Sequence, residues 1–189
     1  LPMGVFTQKI HTRIYIAGLC LLAVSLPVSV FGMSVSQFLL AGNWLAEGNF
    51  KKKWQTLTTR KSILIFISLF LLHLAGLFFT CNFEYAFNDI KIKLPLLLLP
   101  LIIGTTDFLT EKQLKLIFQF FISSVFIATL ICAGIFFISY GNGITDYREI
   151  SIFISHIRFS LLITIAIFLT LYYIFKEWRK LKSLEIYTY

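Results

Sequence analysis

"SILIFISLFLLHLAGLFFTCNF", residues 62–83, contains no Asp, Glu, Lys or Arg, and this stretch decides the fold class. A bilayer core about 30 Å thick is crossed by roughly 20 residues of α-helix, so the segment is long enough to span it. Strands of a membrane barrel would alternate apolar and polar residues instead of forming such a run. The segment therefore predicts a transmembrane helix.

The rest of the chain has the same character. Of its 189 residues, 58% are hydrophobic and only 14% are charged, and the mean hydropathy is +0.83. These values are typical of membrane proteins, so we predict an all-α, polytopic protein forming a single membrane domain. About six transmembrane helices are expected, of which the two short ones, 33–46 and 94–106, could be re-entrant or interfacial instead. The six predicted spans are 14–31, 33–46, 62–83, 94–106, 116–140 and 159–175.

The distribution of the net charge of +8 predicts the orientation of the chain. Basic residues collect before the first span, between the second and third, after the fourth and after the sixth. With six spans and both ends in the cytoplasm, these clusters lie inside, where we expect them to contact anionic lipid. Nucleic-acid binding is disfavoured, because a membrane separates the basic loops. The basic residues left outside are Lys91, Lys93, Arg148 and Arg158.

Local signals support several helix boundaries. Thr110 and Gln113 have the spacing of a capping box, which predicts a helix start at this point. Asn82 can cap a short amphipathic helix over residues 83–94, which we expect to lie along the outer surface. Pro27 is expected to kink the first span, and the two prolines of "LPLLLLP", residues 94–100, predict a short, kinked fourth span.

The outer charges form the candidate binding site, because charge at membrane depth is costly and is usually kept for a partner or ligand. Arg158 directly precedes an uncharged run, and its planar guanidinium could bind phosphate oxygens in a bidentate way. A cluster with Lys91 and Lys93 would suit a diphosphate. His156 could donate a hydrogen bond to the same anion or move a proton.

Each of these residues also has a simpler interpretation. Arg158 could extend to lipid headgroups, and His156 could be an ordinary interfacial histidine. Lys91 and Lys93 could pair with Asp89, since Asp89 and Lys93 have i,i+4 spacing. His73, in the middle of a predicted span, faces either a helix neighbour through a hydrogen bond or a polar cavity.

Cofactor chemistry has no sequence signal. The three cysteines have no paired spacing, so we predict neither a disulfide framework nor a metal site. No Walker loop, HExxH or GxSxG motif occurs, and we expect no cofactor. The oligomeric state is left open.

Three segments resemble bacterial O-antigen ligases and O-antigen polymerases. They are "NWLAEGNF" at residues 43–50, the block around "KLPLLLLP" at 93–100, and "ISHIRFSLLITIAIF" at 154–168. The resemblance runs over nearly the whole chain and covers the N-terminal half of that family.

This resemblance implies a glycosyltransferase of the membrane-embedded C type in the bacterial inner membrane. Such enzymes transfer a glycan from a polyprenyl diphosphate carrier at the periplasmic face, without a metal or nucleotide sugar, using arginines to hold the diphosphate. Arg158 matches that kind of residue, and Lys93 is a weaker match. The family's catalytic histidine lies in a large later loop, so no catalytic residue is assigned, and we expect this chain to be part of a longer enzyme.

Two other function classes stay open. A transporter would place polar or charged side chains in several spans near the bilayer midplane, where this sequence offers mainly His73 and serines. A non-catalytic accessory membrane protein would need no basic pocket on the outer side.

The predicted orientation can be tested by cysteine labelling. In a background without the native cysteines, a single cysteine placed near Gly48 should react only after the inner face is exposed. One near Asn142 should react from outside. The reverse pattern would contradict the orientation, and equal access from both sides would indicate a mixed topology.

Overall fold

The computed structural model describes residues 5–106, 109–139 and 151–186, which form helices and contain no strand. Eight α-helices occur in this part of the chain, with a short 3₁₀ turn, Gly76–Phe79, after the fourth. The α-helices are α1 Val5–Val28, α2 Val30–Glu47, α3 Phe50–Thr59, α4 Lys61–Ala75, α5 Phe83–Lys93, α6 Pro95–Thr105, α7 Glu111–Ser139 and α8 His156–Ile186.

Within the described residues, four stretches are long and apolar enough to cross a membrane, which confirms the helical membrane class. They are Gln8–Val28, Lys61–Phe79, Glu111–Ile138 and His156–Trp178. They match the predicted spans 14–31, 62–83, 116–140 and 159–175. The other two predicted spans are helical, but α6 has 11 residues, a rise of about 16 Å, or roughly half the bilayer core. The count of six stays a prediction.

The chain divides into two compact units. Unit 1 comprises Leu1–Gly18 and Val35–Thr110, and unit 2 comprises Leu19–Ser34 and Glu111–Tyr189. Each is described by itself below.

In unit 1, α5 and α6 return along α4. Gly104 in α6 packs on Ile63, so closely that a Cβ on Gly104 would lie 2.6 Å from the Ile63 Cδ1 atom. The Arg60 guanidinium, directly before α4, donates to the Gly104 carbonyl. The end of α6 therefore lies at the start of α4.

The predicted cap and proline break both appear in this return segment. The backbone N–H of Tyr85 donates to the Asn82 side chain at 3.0 Å and starts α5 as predicted. Only Leu94, which has helical dihedral angles, separates α5 from α6, whose first residue is Pro95. Because proline lacks an N–H, it ends the hydrogen-bond ladder of α5. Helix α5 also contacts α4, and its location along the outer surface stays a prediction.

A buried lysine ties α3 to the rest of unit 1. Lys53 is only 5% exposed, and its ammonium lies 2.8 Å from Glu47 and donates to the Trp44 carbonyl at 2.6 Å. It also lies 4.5 Å from the centre of the Trp44 ring. The Trp44 indole donates to the Thr105 hydroxyl at 2.9 Å. Lys53 and Trp44 thus link α2 and α3 to α6.

The chain reversal between α2 and α3 makes this contact possible. Gly48 and Asn49 both have positive φ angles, 66° and 52°. Glycine and asparagine are the residues that adopt this left-handed conformation most readily. The two-residue turn lets Lys53 fold back over Trp44.

Unit 2 is built around the antiparallel pair α7 and α8. Lys115 pairs with Glu177 at 2.8 Å, and Lys176 pairs with Glu111 at 3.3 Å. These contacts put the start of α7 beside the late part of α8. Helix α7 begins directly after Thr110, as its capping signal predicts.

The α1 segment of unit 2 ends in a serine-rich turn. Ser124 of α7 donates to the Val24 carbonyl at 2.7 Å. Ser29 separates α1 from α2, and its hydroxyl accepts from the backbone N–H of Gly32 at 3.0 Å. Pro27 lies within the last turn of α1. The break therefore falls slightly earlier than the predicted boundary between residues 31 and 33.

Removal of the buried ammonium tests its role in unit 1. We expect Lys53→Met to destabilise the protein by about 3–5 kcal/mol, because the Glu47 carboxylate is left without its cation in a largely desolvated place. The measurement is thermal unfolding in detergent micelles, followed by tryptophan fluorescence.

Two further variants complete this test. Lys51→Met is the matched control, since Lys51 is exposed on the same helix. Lys53→Met combined with Glu47→Gln should recover much of the lost stability. Equal unfolding temperatures for Lys53→Met and Lys51→Met would contradict the buried pair.

Candidate functional site

His156 and Arg158 occupy the first turn of α8. The backbone N–H of Phe159 bonds to the Ser155 carbonyl at 3.0 Å, so the helix ladder starts there. The backbone N–H groups of residues 156–158 precede the first helical bond and are available to other acceptors. Together with the positive end of the helix dipole, they favour negative charge at this place.

Packing of the neighbouring residue sets the direction of Arg158. Phe159 is buried against Ala128 and Cys132 of α7, with Phe153 and Ile154 partly buried around it. Successive helical residues are rotated by about 100°, so an inward Phe159 leaves Arg158 directed elsewhere. His156 and Arg158 are both exposed. The guanidinium is thus accessible beside the helix start.

Lys93 forms an ion pair, whereas Lys91 lies in an open groove among polar and acidic side chains. The Lys93 ammonium lies 2.6 Å from Asp89 Oδ2, which is the i,i+4 pair that the simpler interpretation predicted. Lys91 is exposed and lines an open groove with Glu84, Asn82 and Asn88. Part of the positive charge of α5 is therefore offset by its own carboxylates.

The four predicted binding residues belong to different units. Lys91 and Lys93 are in unit 1, whereas His156 and Arg158 are in unit 2. Their convergence on one diphosphate stays a prediction. Arg148, the acidic residues Asp146 and Glu149 of the same loop, and Asn142 lie outside the described residues.

Metal ligation has no structural candidate in the described segments. Within residues 5–106, 109–139 and 151–186, no group of three or more His, Cys, Asp or Glu side chains could hold a metal ion. The chemistry that the described site offers is hydrogen bonding and charge, from arginine, lysine, histidine and backbone N–H groups.

Comparisons of the chain with family models, curated proteins and solved structures find no match. What the site can do is therefore inferred from its own residues.

The structure also brings together residues that the sequence left apart. His73 bonds through Nδ1 to the Leu69 carbonyl at 2.7 Å, and it lines a pocket with Tyr85 and Asp89. This bond lies within α4 instead of reaching a neighbouring helix, and the pocket mixes polar with apolar side chains, so neither of the two predicted roles is confirmed. The pairing with α5 was missed, because it depends on the 3₁₀ turn that follows α4. Helical spacing alone carries no signal for it.

Lys53 was also misassigned. The sequence placed it in a cytoplasmic cluster that contacts lipid, but its ammonium is buried under Trp44 and paired with Glu47. The sequence did contain a signal for this ion pair. Glu47 precedes Gly48 and Asn49, which favour a turn, and the lysines follow directly after that turn.

Proposed function

We propose that this chain is the carrier-binding part of an O-antigen ligase or polymerase type glycosyltransferase in a bacterial inner membrane. Its substrate would be a glycan on a polyprenyl diphosphate carrier, bound at the periplasmic face. The observation that carries the proposal is the accessible Arg158 at the start of the apolar helix α8. The likeness of "ISHIRFSLLITIAIF" to the family supports it.

The chemistry of this place suits a lipid-linked diphosphate. Arginine holds phosphate oxygens through two parallel hydrogen bonds, and the helix start adds backbone donors. The apolar span that begins here could accommodate the polyprenyl chain beside the bilayer. His156, two residues before Arg158, could donate a further hydrogen bond.

The role proposed for Arg158 is to bind the leaving group. In an inverting transfer, an acceptor hydroxyl attacks the anomeric carbon, and the bond from that carbon to the diphosphate oxygen breaks. Negative charge then grows on the carrier diphosphate, where a fixed guanidinium stabilises it. The acceptor proton passes to a base that we do not assign within this chain.

The charge distribution of unit 2 is consistent with this orientation. Lys115 and Lys176 lie at the end of the α7–α8 pair opposite Arg158. That end is the one expected in the cytoplasm, since basic clusters favour the inner face. Arg158 would then face the periplasm.

Substitution of Arg158 in the complete protein tests the proposal. We expect Arg158→Ala to lower glycan transfer by about tenfold or more, because charge-assisted hydrogen bonds to phosphate are lost. The transfer rate of Arg158→Lys should lie between those of the wild type and Arg158→Ala, since lysine keeps the charge without the bidentate geometry. Transfer is measured from labelled carrier-linked glycan in membranes.

Lys112→Ala is the matched control, because Lys112 is an exposed cation at the opposite end of α7. It should leave transfer unchanged, and membrane insertion should be normal for all three variants. Normal transfer by Arg158→Ala would exclude the phosphate-binding role. It would favour an accessory protein.

A further inference from the structure

A small, open pocket with mostly apolar walls and a few polar side chains lies between α4 and α5 in unit 1. It has a volume of about 320 Å³, and its polar lining comes from His73, Thr80, Tyr85 and Asp89. Its apolar walls include Leu77 and Ile90. This volume falls at the lower end of the range seen for small-molecule sites, roughly 300–1,000 Å³.

The hydrogen bond of His73 decides which of its ring nitrogens can accept a hydrogen bond. His73 Nδ1 lies 2.7 Å from the Leu69 carbonyl, and a carbonyl oxygen can only accept. Nδ1 therefore carries the hydrogen, and in the neutral ring Nε2 keeps its lone pair. The histidine offers an acceptor to a ligand.

Asp89 supplies a second acceptor whose charge is already compensated. Its Oδ2 atom accepts a hydrogen bond from the Lys93 ammonium at 2.6 Å. A carboxylate has about four acceptor positions, so one ammonium leaves the others for a ligand. Because Lys93 balances the charge, the pair favours neither an anion nor a cation. A ligand that donates hydrogen bonds fits best.

The pocket lies near one end of a candidate span. His73 is in the last part of Lys61–Phe79, about 9 Å along the helix axis from Phe79. Leu72 beside it is 74% exposed, and Phe79 is 88% exposed. A ligand here would meet both polar acceptors and the apolar surface of the span.

We propose that this pocket binds the uncharged, hydroxyl-rich headgroup of an amphiphile, such as the sugar of a neutral glycolipid. Sugar hydroxyls would donate to His73 Nε2 and Asp89, and the apolar tail would lie along the exposed face of α4. An anionic headgroup is disfavoured, since it would meet two acceptors and a lysine already paired. The proposal does not depend on the role of Arg158, so binding of the headgroup tests it independently of glycan transfer.

Histidine NMR gives a direct test. The chain has three histidines, so ¹⁵N-labelling of histidine gives few ring signals, and His73→Gln identifies those of His73. The protein is placed in phosphatidylcholine nanodiscs at pH about 8, where an ordinary histidine is mostly neutral. Monoglucosyl diacylglycerol, diacylglycerol or phosphatidylglycerol is then added to the same mole fraction.

We expect the His73 ring to carry its hydrogen on Nδ1, and its Nε2 signal to move only with the glucosyl lipid. Hydrogen on Nε2 before any addition would overturn the proposal, because the pocket would then present a donor. An unchanged signal would overturn it too. So would an equal shift with diacylglycerol or phosphatidylglycerol.

Two variants add a matched comparison. Asp89→Asn should require about tenfold more glucosyl lipid for the same shift, because a hydrogen bond to a charged group is lost. Glu84→Gln changes an exposed carboxylate on the same helix that does not line the pocket, and it should bind as the wild type does. Equal binding by both variants would remove Asp89 from the site. Unaltered His11 and His156 signals in each variant show that its fold is kept. The comparison of the three lipids uses the wild type alone, so it does not depend on how the variants fold.

Discussion

Unit 1 depends on one lysine ammonium held away from water by a tryptophan ring, a carboxylate and a backbone carbonyl. Lys53 joins α3 to α2 directly, and Trp44 extends the connection to α6 through Thr105. Desolvation of both ions is costly, and the cation–π contact and added hydrogen bonds offset it. In lipid, apolar contact between helices provides little drive for association, so such polar links specify which helices meet. The end of α6 that Trp44 contacts also packs on the start of α4, through Gly104 with Ile63 and Arg60.

Local sequence signals could predict the helices but not the polar contacts between different helices. The four long spans, the Asn82 cap and the start of α7 after Thr110 all follow from local sequence. The burial of Lys53 does not, because three consecutive lysines look equivalent until the helix turns each by about 100°. The third, Lys53, is the buried one, and it reaches Glu47 through the left-handed turn at Gly48 and Asn49.

The binding residues show the same limit. The sequence predicted the position of Arg158 at the start of an apolar helix, since the uncharged run begins at the next residue. The Lys93 pair with Asp89 was readable as well, because i,i+4 neighbours on a helix lie together. His73 and Asp89 line the same pocket only because the chain reverses through the 3₁₀ turn between α4 and α5. Neither periodicity nor charge counting describes that reversal.

The Arg60 contact with Gly104 has a consequence for how the protein enters a bilayer during synthesis. The two residues bracket α4, the 3₁₀ turn, α5 and α6, and they lie side by side. Whatever part of this segment crosses the bilayer must therefore come back to the face from which it started. A crossing by α4 would therefore make residues 60–104 a hairpin whose two ends lie at the same face of the bilayer.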